Sequence, residues 1–342
     1  MSYQITKTHL QEMYRAYAVN TLNIDGVEKV LFASEEKGYP CVSYELDNLD
    51  QKEVVWEEGG GCMSIIQVPN SKNSFLTIRD FYLKETPSQS RLVLMTYLDN
   101  KWVEETVYEL PYLHRFDVFE YENEIRVVLS VIADEKDFKD DWSRPGSIYI
   151  GTLKDNKLVD VEMIFKDLYR NHGYLKVIRD GVPHLYISGD QGVFELTPSN
   201  GTWVSKMIFD QPTSEVAFLD IDNDGFEEML TIEPFHGNKI RMYKFEDEKA
   251  SMIYEYPNII NFGHAIVSGT LDGKSVFVCG VRREDCELFI LDYDNGEIVS
   301  HLVENAVGPA NLKIINSERG DFIASSNHSA NELALYRIER NQ

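Results

Sequence analysis

Cysteine is scarce in this chain. Cys41, Cys62, Cys279 and Cys286 are the only four, and none forms a Cys-x-x-Cys pair. That excludes a disulfide framework or a zinc ribbon, and a reduced cytoplasmic protein is the expected class. No apolar run approaches the length needed to span a bilayer. The opening Met1-Ser2-Tyr3-Gln4-Ile5-Thr6-Lys7 lacks a signal-type apolar core. Basic residues are also few, 33 against 57 acidic, for a net charge of −24. A chain so acidic is expected to bind neither nucleic acid nor an anionic membrane surface. Its charge serves solubility first. The sequence holds no Gly-rich phosphate loop, no nucleophile elbow and no His-Glu-x-x-His helix, so the enzyme classes built on them drop out.

What is present points to strands. Aromatic residues make up 12% of the 342 positions, with 19 Tyr and 17 Phe, and 43% hydrophobic residues supply a large core. The organising stretch is Asp220-Ile221-Asp222-Asn223-Asp224-Gly225-Phe226-Glu227-Glu228, which joins the apolar runs Val216–Leu219 and Met229–Ile232. This is a hairpin between buried strands. The same hairpin returns along the chain: Asp25-Gly26, Asp180-Gly181 and Asp272-Gly273 each follow one apolar strand and precede another, and Gly320 ends the last copy. Weaker copies cover Cys62–Ile78 and His114–Ile132. From Gly26 to Gly320 the repeat averages 49 residues over six steps. Third and fourth strands follow each hairpin. Four short antiparallel strands per repeat are the mark of a propeller blade. The expected fold is therefore all-β, one seven-bladed propeller domain over residues 1–342. The last repeat has only three strands, so Tyr3–Thr8 is expected to supply its fourth and hide two open edges. His9–Ala16 reads as a short helix or a crossing loop.

The Asp-x-Asp-x-Asp-Gly-x-x-Glu hairpin within such a repeat resembles the FG-GAP/VCBS repeat family. Only Asp220–Glu228 matches the acidic motif in full, while three other repeats keep just the Asp-Gly. The resemblance implies the propeller and a Ca²⁺ ion held by Asp220, Asp222, Asp224 and Glu228, since a hard cation wants an oxygen cage. It implies no single function. More loosely, the chain looks like intracellular sugar lyase and dehydratase propellers of the aldos-2-ulose dehydratase type.

The position nine residues before each turn anchor holds Tyr17, His114, His172, His264 and Asn311 in five of the repeats. Taken singly, each histidine reads as a strand cap. Three of the eight histidines in one column read as a site, because imidazoles converging from separate strands suit Zn²⁺, Mn²⁺ or Fe²⁺. The loops after each second strand open on the same expected face. They bring Arg79, Glu233, His236, Arg282, Arg283 and His328. Arg282 and Arg283, with Asn311, Glu233 and Arg79, are candidate substrate contacts. His236, His328 and Tyr17 are candidate acid–base groups. Tyr17, Tyr112 and Trp142 are candidate sugar-stacking rings. Cys62 lacks a paired base and makes a poor nucleophile. The expected function is a metal-assisted sugar lyase or dehydratase carrying out β-elimination. The alternative is a non-catalytic propeller that binds a glycan or a protein on the same face.

Overall fold

Tight turns with two consecutive left-handed residues set the pattern of the chain. At Asp25-Gly26 φ is 50° and 89°, at Asp180-Gly181 50° and 78°, at Asp272-Gly273 48° and 71°. Glu122-Asn123 does the same without glycine, at 53° and 62°. Such turns match the twist of the strands they join, which is why Asp, Asn and Gly recur there.

The computed structural model describes residues 3–82, 87–246 and 248–340. The fold is an all-β seven-bladed propeller of four-stranded antiparallel blades. β1 (Tyr3–Glu12) comes first. Blade 1 is β2 (Ala16–Ile24), β3 (Val27–Ser34), β4 (Cys41–Glu45) and β5 (Asn48–Trp56). Blade 2 is β6 (Ile65–Gln67), β7 (Ser74–Arg79), β8 (Arg91–Leu98) and β9 (Lys101–Glu109). Blade 3 is β10 (Leu113–Tyr121), β11 (Glu124–Val131), β12 (Gly146–Lys154) and β13 (Lys157–Leu168). Blade 4 is β14 (Gly173–Arg179), β15 (Val182–Gly189), β16 (Gly192–Ser199) and β17 (Thr202–Phe209). Blade 5 is β18 (Glu215–Leu219), β19 (Glu228–Glu233), β20 (Lys239–Glu246) and β21 (Lys249–Glu255). Blade 6 is β22 (Asn261–Leu271), β23 (Lys274–Arg283), β24 (Leu288–Asp294) and β25 (Glu297–Glu304). Blade 7 is β26 (Asn311–Ser317), β27 (Gly320–Asn327) and β28 (Glu332–Arg340), completed by β1.

By internal packing the chain divides into two compact units. Unit 1 is residues 1–19 with 213–342, and unit 2 is residues 20–212. In unit 1 the second and third strands of blades 5 and 6 share a core that includes Leu230, Ile232, Met242, Phe277 and Phe289, all buried. A second core joins blades 6 and 7 through Val278, Ile290, Ile323 and Tyr336. In unit 2, Val128, Ile148, Ile150, Leu185 and Leu196 make the same kind of contact between blades 3 and 4. Fourth strands such as β17 are exposed over most of their length. A strand flanked on both faces reads as a continuous apolar run.

β1 closes blade 7, pairing with β28 from Tyr3↔Arg340 to Glu12↔Glu332. It is longer than the sequence suggests. His9–Glu12, expected as helix or loop, continues the strand with a register shift between His9 and Gln11. The cause is Glu332, which takes His9 Nδ1 at 2.7 Å and Lys7 Nζ at 2.8 Å and so holds this end on the sheet.

Candidate functional site

Two of the column histidines sit on β-bulges. In β10, Leu113 is opposite Val131 and Arg115 is opposite Ser130, which leaves His114 as the extra residue. In β22 the same offset recurs: Gly263 faces Val281 and Ala265 faces Gly280, with His264 between them. A bulge breaks the alternation of a strand and re-aims one side chain. Gly263 permits the bend, because a Cβ there would come within 2.9 Å of the Ile232 side chain. His172 stands just before β14 and donates its backbone N–H to the Ser188 carbonyl at 3.1 Å. All three imidazoles are buried.

In unit 2 the His114 and His172 rings lie 4.8 Å apart, centre to centre, and Phe81 packs on His114 at 5.2 Å. In unit 1, His264 is 5.2 Å from His236 and 5.6 Å from Tyr17. His264 Nδ1 lies 2.7 Å from the Ala310 carbonyl oxygen. A carbonyl can only accept, so Nδ1 carries a proton, and in the neutral ring the lone pair is on Nε2. That is the tautomer a metal ligand or a base needs, oriented by a backbone partner as metal-bound histidines are. The donor set of His264 with His236 therefore fits a borderline transition metal.

The loop residues of unit 1 gather around Phe262. Its ring stacks on His236 at 4.2 Å, and the guanidinium carbons of Arg282 and Arg283 lie 5.1 and 4.5 Å from its centre. Phe262 and His236 both have positive φ, 66° and 46°, a backbone state that costs energy in non-glycine residues. An Arg282 nitrogen lies 2.7 Å from His328 Nε2. His236, His264, Tyr17, Arg282, Arg283 and His328 thus form one cationic and aromatic cluster in an acidic protein.

Three candidate substrate contacts have partners within the fold. Arg79 is buried, bonded to Glu104 at 2.6 Å and stacked on Trp56 at 4.3 Å. Glu233 accepts from Thr231 at 2.6 Å, Arg241 at 2.9 Å and Tyr243 at 2.9 Å, which uses its oxygens inside blade 5. Asn311 Nδ2 donates to the Tyr17 carbonyl at 2.9 Å and so spans neighbouring inner strands. Burial pushes the Cys62 thiol up to about 11, which removes it as a nucleophile at neutral pH.

Two of the expected stacking rings, Tyr112 and Trp142, meet Lys136. Its backbone N–H donates to the Tyr112 hydroxyl at 3.1 Å, and its Nζ sits 3.1 Å from the centre of the Trp142 ring. The ring face favours a charged amine, but burial opposes it and wins, bringing Lys136 down to about 8. The folded value lies below the unfolded one, so the folded chain releases this proton first. The penalty is fully present below pH 8, and stability recovers as pH rises from about 8 to about 10.5. Lys136→Met is expected to stabilise the protein at pH 7 by about 1–2 kcal/mol once solvent screening is allowed for, and to flatten that rise. Urea unfolding of both proteins from pH 7 to 10.5 measures it, and parallel curves would refute it.

The acidic loop lies in unit 1. Asp220 accepts the backbone N–H groups of Asp224 and Gly225 at 3.1 and 2.9 Å, and Glu228, fully buried, accepts that of Ile221 at 3.0 Å. One oxygen from each of Asp220, Asp222 and Asp224 lies within 4.8 Å of the others. The concave side is filled by the Lys244 ammonium, which bonds Asp224 and lies 3.2 Å from both Asp222 Oδ2 and Glu228 Oε1.

No family model matches the chain, and no curated protein matches it in sequence. Solved structures do match. A candidate 6-phosphogluconolactonase from Bacteroides uniformis superposes with a TM-score of 0.60 at 11% identity, over 90% of this chain and 89% of that one. A chain of the mitotic checkpoint complex gives 0.62 at 9% identity, over 98% of this chain and 91% of that one. In all, 707 solved chains match, so the shared feature is the propeller, and the side chains must choose the function.

Proposed function

We propose that this protein is a carbohydrate-active propeller that binds an anionic sugar and carries out a metal-assisted β-elimination on it. The observation that carries the reading is His264: buried on a bulge, with Nδ1 bonded to the Ala310 carbonyl and its ring 5.2 Å from that of His236. His264 and His236 would hold a divalent ion, Zn²⁺, Mn²⁺ or Fe²⁺. Such an ion, when bound, polarises a carbonyl and so acidifies the neighbouring C–H. Arg283 and Arg282, spread over Phe262, would receive a sugar carboxylate and orient it. Tyr17 or His328 would move the proton. His114 and His172 offer a second imidazole pair of the same kind within unit 2.

The kinship to FG-GAP/VCBS propellers and to aldos-2-ulose dehydratase-type enzymes belongs to this proposal. So does the sugar-acid chemistry in the name of the Bacteroides uniformis neighbour, whose likeness at 11% identity carries the fold alone. The test is elemental analysis of untagged protein, wild type against His264→Ala, together with the ultraviolet absorbance of an unsaturated product from uronates and keto-sugar acids. About one equivalent of a transition metal per chain is expected in the wild type and under a tenth of that in the variant, with elimination lost alongside. A wild type without metal or elimination that still binds a glycan, unaffected by His264→Ala, would establish the non-catalytic binding propeller instead.

A further inference from the structure

The acidic hairpin of blade 5 has the spacing of a cation-binding loop, and its geometry places a cation there already. Register explains how. Met229 pairs with Tyr243, so the next residues outward, Glu228 and Lys244, fall side by side on adjacent strands. Lys244 then reaches back over the turn. Its Nζ bonds Asp224, lies 3.2 Å from Asp222 Oδ2 and 3.2 Å from Glu228 Oε1, and meets one oxygen of each acid that faces inward. Glu228 is fully buried; it accepts the Ile221 backbone N–H and has the Lys244 ammonium as a neighbouring positive charge. A buried carboxylate without a countercharge is expensive, so this position requires a cation of some kind. Asp220, the remaining member, turns its two oxygens to backbone N–H groups within the loop.

We infer that Lys244 is the resident cation of this loop, a tethered ammonium in place of a divalent ion, so that the hairpin is locked without Ca²⁺. A lysine ammonium offers three donors, and here it meets three carboxylates. A Ca²⁺ ion needs six to eight oxygens at about 2.3–2.6 Å, and it could enter only by expelling the lysine from them. Tethering also favours the lysine: it is bound within the same sheet and competes at a high effective concentration. The loop keeps the carboxylates of a metal site and has exchanged the metal for a side chain.

Lys244→Met removes the charge and keeps most of the length. Thermal unfolding of wild type and variant, in EDTA and in 5–10 mM Ca²⁺ at matched ionic strength, separates the cases. The wild-type Tm is expected to be the same in both buffers within about 1 °C, while Lys244→Met melts several degrees lower in EDTA and recovers at least about 3 °C in Ca²⁺. Asp222→Asn serves as a second variant that keeps the lysine, and its loss of stability is expected to be equal with and without Ca²⁺. A wild type stabilised by Ca²⁺ in a manner abolished by Asp222→Asn, or an Asp222→Asn defect that appears only with Ca²⁺, would overturn the inference. So would a Lys244→Met protein as stable as wild type in EDTA. If Lys244→Met does not fold in EDTA, folding on addition of Ca²⁺ supports the inference, and failure in both buffers counts against an interchangeable cation.

Discussion

Deleting residues 1–8 is expected to abolish cooperative unfolding or to lower Tm by about 10 °C or more. β1 is an integral fourth strand. Its pairing with β28 runs the length of that strand, and without it β28 becomes an exposed edge. Tyr3 and Ile5 pack on the core that contains Tyr336, Ile338 and Val278. Removing them uncovers apolar surface on β28 as well as their own. At about 25 cal/mol per Å² the loss is roughly 4–6 kcal/mol, a large share of the 5–15 kcal/mol that separates most folded proteins from unfolded chains. Lys7 adds ion pairs to Glu304 and Glu332 at 2.8 Å each, but with both lysine and glutamates partly exposed these contribute little. Differential scanning calorimetry of the truncated chain is the measurement. A Tm within about 2 °C of the full chain would show that β28 needs no partner.

Asp292→Ala is expected to cost about 3–5 kcal/mol, the range for removing one member of a buried charged network. Asp292 lies in β24 and is 1% exposed. It accepts from the Tyr3 hydroxyl at 2.8 Å and pairs with Lys274 at 3.3 Å and His301 at 3.2 Å. Tyr3 also stands edge-on to His301 at 4.9 Å, so the closing strand is fastened to blade 6 as well as to blade 7. Burial and the Asp292 carboxylate push the Tyr3 hydroxyl well above its usual range, which keeps it a donor at every physiological pH. Truncating Asp292 leaves the Lys274 ammonium with its compensating charge removed. Asp292→Asn retains an acceptor for Tyr3 and is expected to lose less. Tyr3→Phe should cost about 1 kcal/mol alone and close to nothing beside Asp292→Ala, because the two share one bond. Chemical denaturation of the single and double variants gives these values. A Tyr3→Phe cost unchanged by Asp292→Ala would separate the two residues energetically.

The blade count and the closure were legible because their causes are local. A turn of two left-handed residues admits few side chains, so Asp25-Gly26, Asp180-Gly181 and Asp272-Gly273 announce themselves. Trp102 and Trp203 lie on the outer strands β9 and β17. The candidate site was legible in part. Counting back from the turns placed His114 beside His172, and set His264, Tyr17 and Asn311 among one another's neighbours. The bulges that aim His114 and His264 were not visible, since an offset of one residue exists only in the pairing of two strands. Nor was the engagement of Arg79, whose partners Trp56 and Glu104 come from the outer strands of two blades. Lys244 looks like any solvated lysine near a strand end. Its role depends on cross-strand register with Glu228, which no sequence window contains. The loops told least, because residues such as Glu233 and Arg282 have the same chemistry whether they face a ligand or each other.

The closing strand also sets an order of events in time. β1 leaves the ribosome before its partner β28, which follows about 320 residues later. At about 5–20 residues per second that is an interval of roughly 16–64 s. Throughout it a ten-residue β-strand with unpaired amides is held by nothing that will hold it at the end. Its sequence suits that wait. Lys7, Thr6, Thr8, His9 and Gln11 make it polar on much of its length, with Ile5 its single β-branched aliphatic residue. A more apolar strand would seal the finished sheet more tightly and would also be a template for other nascent chains. The composition of Tyr3–Glu12 thus reads as a compromise between the strength of the final clasp and the safety of the delay before it shuts.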